Sequence, residues 1–225
     1  MKIQHAVILA AGRGKRMFPL TEVVPKPMAP IDGTTLIAKG IENILKYIPH
    51  VHITVGYKKS MLAKHVIELG VSSVINTEGK SNSWWIFNTL LSNIDEPIFV
   101  LTSDNIIELD FSLLERSYYA LGEPACMLVP VKPISGLEGD YISHANNIVT
   151  GLDRSTPTPI YCSGVQIVHP RKVGEFVKNE GDFNDVWRAL ISKKQLYVSD
   201  VYPKEWISID TVEQLESVQG KRTSG

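Results

Sequence analysis

Hydrophobic and polar positions alternate with two different periods along the first half of the chain. Apolar runs such as HAVILA at 5–10 and PIFVL at 97–101 have the length and composition of buried strands. Between such runs, segments such as 34–48 place apolar residues three and four positions apart, which is the spacing of an amphipathic helix. Strands that alternate with helices predict a mostly parallel sheet with helices on both of its faces.

The same patterns assign the other segments of the chain. Strands are predicted at 51–57, 72–76, 125–131, 195–201 and 205–209, and helices at 60–69, 84–94, 111–121, 169–179, 183–194 and 211–218. After Pro133 the sequence becomes rich in glycine, proline and strand-like runs, which predicts a small β-rich subregion. We expect one α/β domain at 1–219, a three-layer sandwich with a mostly parallel mixed sheet, and a polar tail at 220–225.

Composition narrows the class of protein. The chain has 225 residues, a net charge of −1 and 44% hydrophobic residues, so no overall basic field favours nucleic acid. The apolar runs are strand-sized and too short to span a membrane, and the N-terminus lacks the layout of a signal peptide. The cysteines, Cys126 and Cys162, lie in separate apolar segments and are expected to be reduced. A disulfide between them is the alternative. We therefore predict a cytoplasmic protein with neither a nucleic-acid partner nor a membrane partner.

The segment LAAGRGKRMFPLTEVVPKPM, at 9–28, combines a glycine turn with four cations and three prolines. It follows a predicted strand, and ligands of open α/β sheets bind beyond the carboxyl ends of the strands. Gly12 and Gly14 let the backbone approach an anion, because no Cβ intervenes. Met17 stands where a dinucleotide fingerprint needs a third glycine, and no P-loop is present. Rigid cations beside a glycine turn suit a triphosphate whose pyrophosphate will leave.

This segment resembles the signature of the sugar-1-phosphate nucleotidyltransferase family, LAAG-x-G-x-R-[ML]-x-P-L-T followed by P-K-P-[LM]. The resemblance implies a Rossmann-like α/β fold and Mg²⁺-dependent transfer of a nucleoside monophosphate from a nucleoside triphosphate to a phosphorylated acceptor. It implies that Arg16 holds the β- and γ-phosphates and that Lys26 holds the phosphates at the reaction centre. The nucleotide would be cradled by Leu9, Ala10, Ala11, Gly12, Arg13 and Gly14.

Carboxylates at strand ends are the candidate ligands of Mg²⁺. Asp104 follows an apolar strand, at the place where the family carries a metal-binding aspartate. The segment EWISIDTVEQL resembles the family's W-x-[DE]-x-[GD]-T, but Ser208 stands at its first acidic position. Asp210 lies two residues further along the same strand direction and is the second candidate ligand. An N-cap of the following helix is the alternative role for Asp210.

The residues that recognise the base and the acceptor are marked less clearly in the sequence than the segment at 9–28. Asn82 and Ser83 carry donors and acceptors suited to a base edge, and Trp84 or Trp85 is a candidate for stacking. Packing in the core is the alternative for at least one of the two tryptophans. By resemblance, the acceptor pocket in the β-rich subregion involves Gly139, Asp140, Asp153, Arg154 and Gly164. An exposed turn is an equal alternative for Asp153 and Arg154.

Four functions are compared. The middle of the chain and its length resemble compact uridylyl- and guanylyltransferases of sugar 1-phosphates, whereas NTEGKSNSWWIFNTLL at 76–91 is closer to cytidylyltransferases of phosphocholine-like acceptors. A nucleotide-binding protein without turnover is a further alternative, because Ser208 departs from the family's metal site. A nicotinamide enzyme is disfavoured by Met17 and by the lack of an acidic residue after the second strand. Base, acceptor and the question of a homodimer stay open.

Overall fold

The computed structural model describes residues 3–134, 139–177 and 181–223. The strands are β1 His5–Ala10, β2 Pro30–Ile31, β3 Thr34–Thr35, β4 His50–Val55, β5 Ser73–Asn76, β6 Ile98–Thr102, β7 Asn105–Glu108, β8 Cys126–Val131, β9 Tyr141–Ala145, β10 Ile148–Asp153, β11 Tyr161–Val168, β12 Leu196–Val198 and β13 Glu205–Ser208. The α-helices are α1 Leu20–Val23, α2 Leu36–Leu45, α3 Lys59–Ile67, α4 Trp84–Asn88, α5 Phe111–Ala120, α6 Pro170–Phe176, α7 Phe183–Ser192 and α8 Val212–Thr223.

Contacts within the chain divide it into two compact units, described separately below. The N-terminal unit comprises His5–Gly79, Thr102–Ile107 and Glu205–Gly225. The central unit comprises Met1–Gln4, Lys80–Leu101 and Glu108–Lys204. The α/β class is confirmed in both units, since each combines sheet and helices. The single domain at 1–219 stays a prediction.

Parallel strands form the sheet of the N-terminal unit. β1 pairs with β4 from His5↔His50 to Ala10↔Val55, and β4 pairs with β5 in parallel. Parallel neighbours need crossover connections, and α2 and α3 supply them. Thr35 is the N-cap of α2, because its side chain accepts a hydrogen bond from the amide of Ala38. α2 buries one apolar face. The predicted alternation of strands and helices is thereby confirmed over this segment.

An apolar cluster in the N-terminal unit joins three segments that are far apart in sequence. Its buried members are Met17, Ala29, Ile31, Leu36, Ile209, Leu215 and Val218. These residues come from the segment after the glycine turn, from the β2–β3 region with the start of α2, and from α8 with the residue that follows β13. Their burial removes apolar area from water and so holds these segments against one another.

The central unit contains a mixed sheet with the strand order β6-β11-β8-β12-β10-β9. Its pairs are antiparallel except for β8 with β12. The β-rich subregion predicted after Pro133 corresponds to β9, β10 and β11. α7 begins with a capping box, in which Asp182 and Asp185 each accept from the other's backbone amide.

Several elements differ from their sequence predictions. The single helix expected at 84–94 is broken, because Thr89 is extended (φ −129°, ψ 172°) and bonds through its hydroxyl to Trp85 and Leu91. β7, which pairs with β13, was not predicted. α8 continues through residues 220–223, which were predicted as a polar tail. The last residues of the helix predicted at 169–179 lie outside the described part of the chain.

Among the residues that the structure describes, no helix has the length and apolar character needed to cross a membrane.

Three histidines gather at the start of β1 and β4. His5 stacks on His50 and His52, with ring centroids 4.9 and 5.2 Å apart, and its Nδ1 lies 2.9 Å from Nε2 of His52. Nδ1 of His52 lies 2.8 Å from the hydroxyl of Ser73. Burial of His52, and then the charges of His5 and His50, lower its pKa from 6.5 to about 4. The folded protein therefore keeps His52 neutral at a pH where the unfolded chain would protonate it.

This depressed pKa predicts that stability falls as the pH drops from 6.5 towards 4, because the unfolded state then binds more protons than the folded state. We expect the wild-type protein to melt about 6 °C lower at pH 5 than at pH 7.5, because these two pKa values correspond to about 2 kcal/mol in a chain of this size. His52→Gln should flatten this dependence, whereas His144→Gln, at an exposed histidine of β9, should not. Scanning calorimetry at both pH values provides the measurement, and equal slopes for wild type and His52→Gln would contradict the explanation.

Candidate active site

The glycine turn at the end of β1 is shaped by the close approach of Gly14 to Lys26. Gly14 adopts a left-handed conformation (φ 63°, ψ 46°), and a Cβ at this position would lie 2.6 Å from Cβ of Lys26. Any other residue would therefore be strained in its backbone and would also push Lys26 away. A short 3₁₀ turn at Lys15–Met17 follows, and its Met17 is fully buried in the apolar cluster. The turn thus places its cations outward while Met17 anchors it.

Lys26 lies at the centre of an ionic cluster. Its segment forms a 3₁₀ turn at Lys26–Met28, flanked by Pro25, and Pro27 is buried. Nζ of Lys26 lies 2.8 Å from Oδ2 of Asp104 and 2.7 Å from Oδ1 of Asp210. The side chain of Lys26 is only 11% exposed, so the prolines and its packing against Gly14 fix the ammonium in place.

Arg16 extends the cluster towards solvent. Its Nη2 lies 3.0 Å from Oδ1 of Asp210, and its side chain is 63% exposed. The structure therefore brings together four residues that the sequence predicted for the reaction centre: Arg16, Lys26, Asp104 and Asp210.

Asp104 is held at its position by the backbone. It lies in the turn between β6 and β7, and its carbonyl accepts a hydrogen bond of 2.9 Å from the amide of Ile209. The preceding residue, Ser103, donates its amide to the carbonyl of Leu9 at 3.2 Å. The strand end that carries Asp104 is thus tied to both the end of β1 and the segment that carries Asp210.

The carboxylate of Asp210 faces the cations rather than the helix that follows. Thr211 provides the cap of α8, since its hydroxyl accepts from the amide of Gln214. The alternative role of Asp210 as a side-chain N-cap is therefore not what the structure shows. Burial opposes ionisation of Asp210, but hydrogen bonding to Lys26 and the charges of Lys26 and Arg16 outweigh it, so its pKa lies below the ordinary value.

Ser208, the departure from the family pattern, has a partner in the same cluster. Its hydroxyl donates to Oδ2 of Asp210 at 3.3 Å, while Oδ1 of Asp210 contacts Lys26 and Arg16. Ser208 therefore helps to orient the carboxylate two residues further on. From the sequence alone, Ser208 was noted only because it replaces an acidic residue of the family motif.

The donor set fits Mg²⁺. Asp104 and Asp210 are 29% and 18% exposed, and each shares Lys26 as a partner, so their carboxylates lie on one site. In the described parts of the chain no three or more His, Cys, Asp or Glu residues form a cluster that could hold a metal by themselves. Mg²⁺ commonly takes one or two carboxylates and completes its shell with water and substrate phosphates. Two carboxylates beside the glycine turn are consistent with this preference.

Asn82 and Ser83, in the central unit, have partners of their own. Oδ1 of Asn82 accepts from the amide of Phe183 at 2.8 Å, and the fully buried hydroxyl of Ser83 donates to the carbonyl of Gly181 at 2.5 Å. Both contacts fix the start of α7. Trp85 is fully buried and packs in the core. A role in base recognition for Asn82 and Ser83 stays a prediction, and Ser83 would need to leave its present contact to serve it.

Residues predicted for the acceptor lie in and beside the β9–β11 region of the central unit. Nε of Arg154 donates to Oδ1 of Asp140 at 2.9 Å, and the Arg154 side chain is 66% exposed. Gly139 lies against Tyr161, where a Cβ would be 2.7 Å from the ring. Gly164 has φ 82° and lies where the pairing of β11 with β8 is irregular.

Asp153 shapes the turn after β10. Its carboxylate accepts from the amide and hydroxyl of Ser155 and from the hydroxyl of Thr156, and these bonds lower its pKa to about 2. This is the exposed-turn alternative for Asp153. Arg154, by contrast, keeps an exposed guanidinium beside Asp140, and the acceptor role of both residues stays a prediction.

The segment Gly56–Lys58 was missed by sequence analysis although it touches the glycine turn. The amide of Tyr57 donates to the carbonyl of Ala11 at 3.0 Å, and the guanidinium of Arg13 lies over the Tyr57 ring. The only available signal was its place directly after β4, the neighbour of β1.

Comparison with known proteins gives matches in both sequence and fold. Residues 5–137 match the family model described as Nucleotidyl transferase. The chain is 33% identical over 103 residues to the bifunctional protein GlmU of Methanococcus maripaludis, covering 46% of this chain and 25% of that protein. It is 26% identical over 226 residues to the mannose-1-phosphate guanyltransferase of Debaryomyces hansenii, covering 90% of this chain and 62% of that protein. The chain thus spans less than two thirds of the length of these relatives.

Solved structures share the fold. The inositol-1-phosphate CTP transferase from T. maritima superposes with a TM-score of 0.80 at 21% identity, covering 100% of this chain and 96% of that chain. The CTP:phosphocholine cytidylyltransferase from Streptococcus pneumoniae gives 0.77 at 18% identity, covering 99% and 100%. At such identities the likeness shows a common fold, and it confirms the predicted Rossmann-like α/β class.

Proposed function

Because the chain belongs to the nucleotidyl transferase family, we propose that it transfers a nucleoside monophosphate from a nucleoside triphosphate to a phosphorylated acceptor and releases pyrophosphate. The observation that carries this proposal is the ionic cluster beside the glycine turn. Lys26, held 2.8 and 2.7 Å from Asp104 and Asp210, lies under Gly14 of the turn. Fixed cations and carboxylates at a polyphosphate loop are what an in-line substitution at phosphorus needs.

In the proposed reaction, a phosphate oxygen of the acceptor attacks the α-phosphorus of the triphosphate. A new oxygen–phosphorus bond forms, the bond from the α-phosphorus to the bridging oxygen breaks, and pyrophosphate leaves with the electron pair. The backbone from Ala11 to Gly14 binds the nucleotide phosphates through its amides, whereas Leu9 and Ala10 lie within β1 and the amide of Ala10 donates to the hydroxyl of Thr54. Arg16 holds the β- and γ-phosphates, and Lys26 neutralises charge on the oxygens at the reacting centre.

Mg²⁺ is part of the proposal. Asp104 and Asp210 would hold it, and when bound it supplies further neutralisation of phosphate charge. The lowered pKa of Asp210 keeps this carboxylate ionised, and Ser208 orients it. An ionised, oriented carboxylate is the form that a divalent cation requires.

Sugar 1-phosphates are the favoured acceptors, which would place the reaction in sugar nucleotide biosynthesis. The relative from D. hansenii, whose name specifies mannose 1-phosphate, matches 90% of this chain and supports that choice. The second candidate is a cytidylyl transfer to a small non-sugar phosphate such as phosphocholine. It is supported by the fold of the S. pneumoniae enzyme, which is named for CTP and phosphocholine. The guanidinium of Arg154, which Asp140 holds in place, is the proposed contact for the acceptor's phosphate in either case.

A cytoplasmic location is favoured by the use of nucleoside triphosphates and by the free thiols of Cys126 and Cys162. Assembly as a homodimer is compatible with the proposal and is settled by light scattering.

The function is tested by a melting-temperature screen with ATP, CTP, GTP, UTP and dTTP, each with Mg²⁺. A nucleotide present at 100 times its Kd stabilises the folded state by about 2.7 kcal/mol, so we expect one of the five to raise Tm by about 5–10 °C. The same nucleotide, mixed with a panel of phosphorylated sugars and alcohols, should then release pyrophosphate. Inorganic triphosphate alone serves as the control for binding through charge.

The outcomes separate the rival functions. Release of pyrophosphate with a sugar 1-phosphate supports the favoured acceptor, and release only with phosphocholine and CTP supports the second candidate. Nucleotide binding without release across the whole panel supports a nucleotide-binding protein without turnover. No response to any triphosphate refutes the proposed function.

A further inference from the structure

The segment Gly56–Lys58, which directly follows β4, approaches the nucleotide loop at its beginning. The amide of Tyr57 donates to the carbonyl of Ala11 at 3.0 Å. Gly56 is buried, and a Cβ on it would lie 2.7 Å from the same carbonyl oxygen. The two backbones therefore touch at a point that tolerates no side chain. This contact sets the place where the loop leaves β1.

The same segment also reaches the far end of the loop. The hydroxyl of Tyr57 donates to the carbonyl of Thr21 at 2.9 Å, and Nζ of Lys58 donates to the carbonyl of Glu22 at 2.7 Å. Thr21 and Glu22 belong to α1, which ends the stretch that began at Ala11. Tyr57 is thus hydrogen-bonded to both ends of the loop, through its backbone amide at one end and its hydroxyl at the other.

Between these two anchors, the Tyr57 ring supports Arg13. The central carbon of the Arg13 guanidinium lies 5.3 Å from the ring centroid, which is within the range of a cation–π contact. Arg13 is exposed and Tyr57 is half-buried, so the ring is not a core residue that happens to lie nearby. Arginine side chains are flexible, and a contact of this kind restricts where the guanidinium can lie before any ligand arrives.

A loop that carries Arg13, Lys15 and Arg16 close together opposes its own closure, because like charges repel. An uncharged contact that spans the loop restrains it without neutralising the cations. A carboxylate at position 57 would pair with Arg13 and compete with the phosphates. A tyrosine face holds the same guanidinium and leaves its positive charge available.

We propose that Tyr57 is a positioning residue for nucleotide binding, which closes the loop from Ala11 to Thr21 and holds the Arg13 guanidinium ready for the triphosphate. This inference rests on the proposed function, since it concerns the same nucleotide site. It assigns to Arg13 a direct contact with the phosphates and to Tyr57 an indirect role through Arg13 and the loop.

The test uses Tyr57→Phe, Tyr57→Leu, Arg13→Ala and the double variant Arg13→Ala/Tyr57→Leu. Tyr57→Phe keeps the ring under Arg13 and loses only the bond to Thr21, so we expect about threefold weaker nucleotide binding. Tyr57→Leu and Arg13→Ala should each weaken it about tenfold. Because the Tyr57 ring acts through Arg13 and only the bond to Thr21 acts without it, the double variant should lose about thirtyfold rather than a hundredfold. Binding is measured by isothermal titration with the triphosphate that the melting screen selects.

Kinetics distinguish positioning from a general structural role. KM for the nucleotide should rise with these losses, while kcat and the KM for the acceptor stay within about twofold, because the lost contact concerns binding of the nucleotide alone. Tyr47→Leu, at a 43% exposed tyrosine elsewhere in the N-terminal unit, is the matched control and should leave all three constants unchanged. Melting temperatures of the free variants verify that each is folded.

The results separate this inference from the function on which it rests. A wild-type protein that binds no triphosphate refutes the proposed function itself. A wild-type protein that binds and turns over, with Tyr57→Leu equal to it in nucleotide affinity, refutes only the role of Tyr57. Losses that add up in the double variant refute the link between Tyr57 and Arg13.

Discussion

Lys26→Met is expected to lower turnover by about 10²–10³-fold, the loss typical for a preorganised group that stabilises charge in a transition state. Nζ of Lys26 contacts Asp104 and Asp210 at 2.8 and 2.7 Å, and the side chain is 11% exposed. Water therefore screens its charge poorly. Methionine retains the unbranched stem that packs against Gly14 but has no charge.

The measurement is the rate of pyrophosphate release at saturating nucleotide, acceptor and Mg²⁺. Lys39→Met is the matched control, because Lys39 also pairs with an aspartate of the N-terminal unit, Asp32, outside the ionic cluster. We expect it to retain full turnover. Lys26→Arg should not restore the rate, since a larger planar head does not fit a position packed on Gly14. Turnover of Lys26→Met within about threefold of wild type would remove Lys26 from the proposed reaction centre.

Four residues of the candidate site could be named from the sequence, through the family signature and through the topology of α/β sheets. Ligand sites of α/β sheets lie beyond the carboxyl ends of strands, so a glycine turn after β1 and an aspartate after β6 are expected at one edge. The amide of Ser103 bonded to the carbonyl of Leu9 shows that the two strand ends are indeed neighbours. Asp210 could be added by its place in a second motif, without knowledge of any contact.

The partners that individual side chains find in the fold could not be predicted. Whether Asp210 or Thr211 caps α8 depends on which oxygen faces the amide of Gln214, and both residue types are good caps. Tyr57 lies about forty residues beyond the loop that it contacts, and only the pairing of β4 with β1 brings it there. Ser83 was assigned by its chemistry alone, and its burial against Gly181 depends on where α7 begins.

The prediction of helix boundaries failed for a related reason. The pattern at 84–94 has apolar residues at helical spacing throughout, and periodicity alone gives no reason for a break. The break at Thr89 arises because its hydroxyl competes for backbone groups on both sides, accepting from Leu91 and donating to Trp85. Threonine is able to cap and to stay helical, and the neighbouring packing decides between the two.

Asp104→Asn is expected to lower turnover by about a hundredfold and to raise the Mg²⁺ concentration for half-maximal rate by about tenfold. The substitution keeps the volume of the side chain and one acceptor oxygen for Lys26, but it removes the negative charge that a divalent cation requires. A carboxylate that only anchored Lys26 would behave differently. Its loss would lower the rate at every Mg²⁺ concentration without a shift in the midpoint.

The shift of the Mg²⁺ midpoint is therefore the decisive quantity, and it is measured by titrating pyrophosphate release with Mg²⁺ at fixed nucleotide. Binding of Mn²⁺, followed by electron paramagnetic resonance, gives a readout that does not depend on turnover. Asp210→Asn should shift the midpoint in the same direction, because both carboxylates meet at Lys26. Asp32→Asn, which removes a carboxylate paired with Lys39 outside the cluster, should leave both measurements unchanged. An unshifted midpoint in Asp104→Asn would assign Asp104 to the support of Lys26 and leave the metal to other ligands.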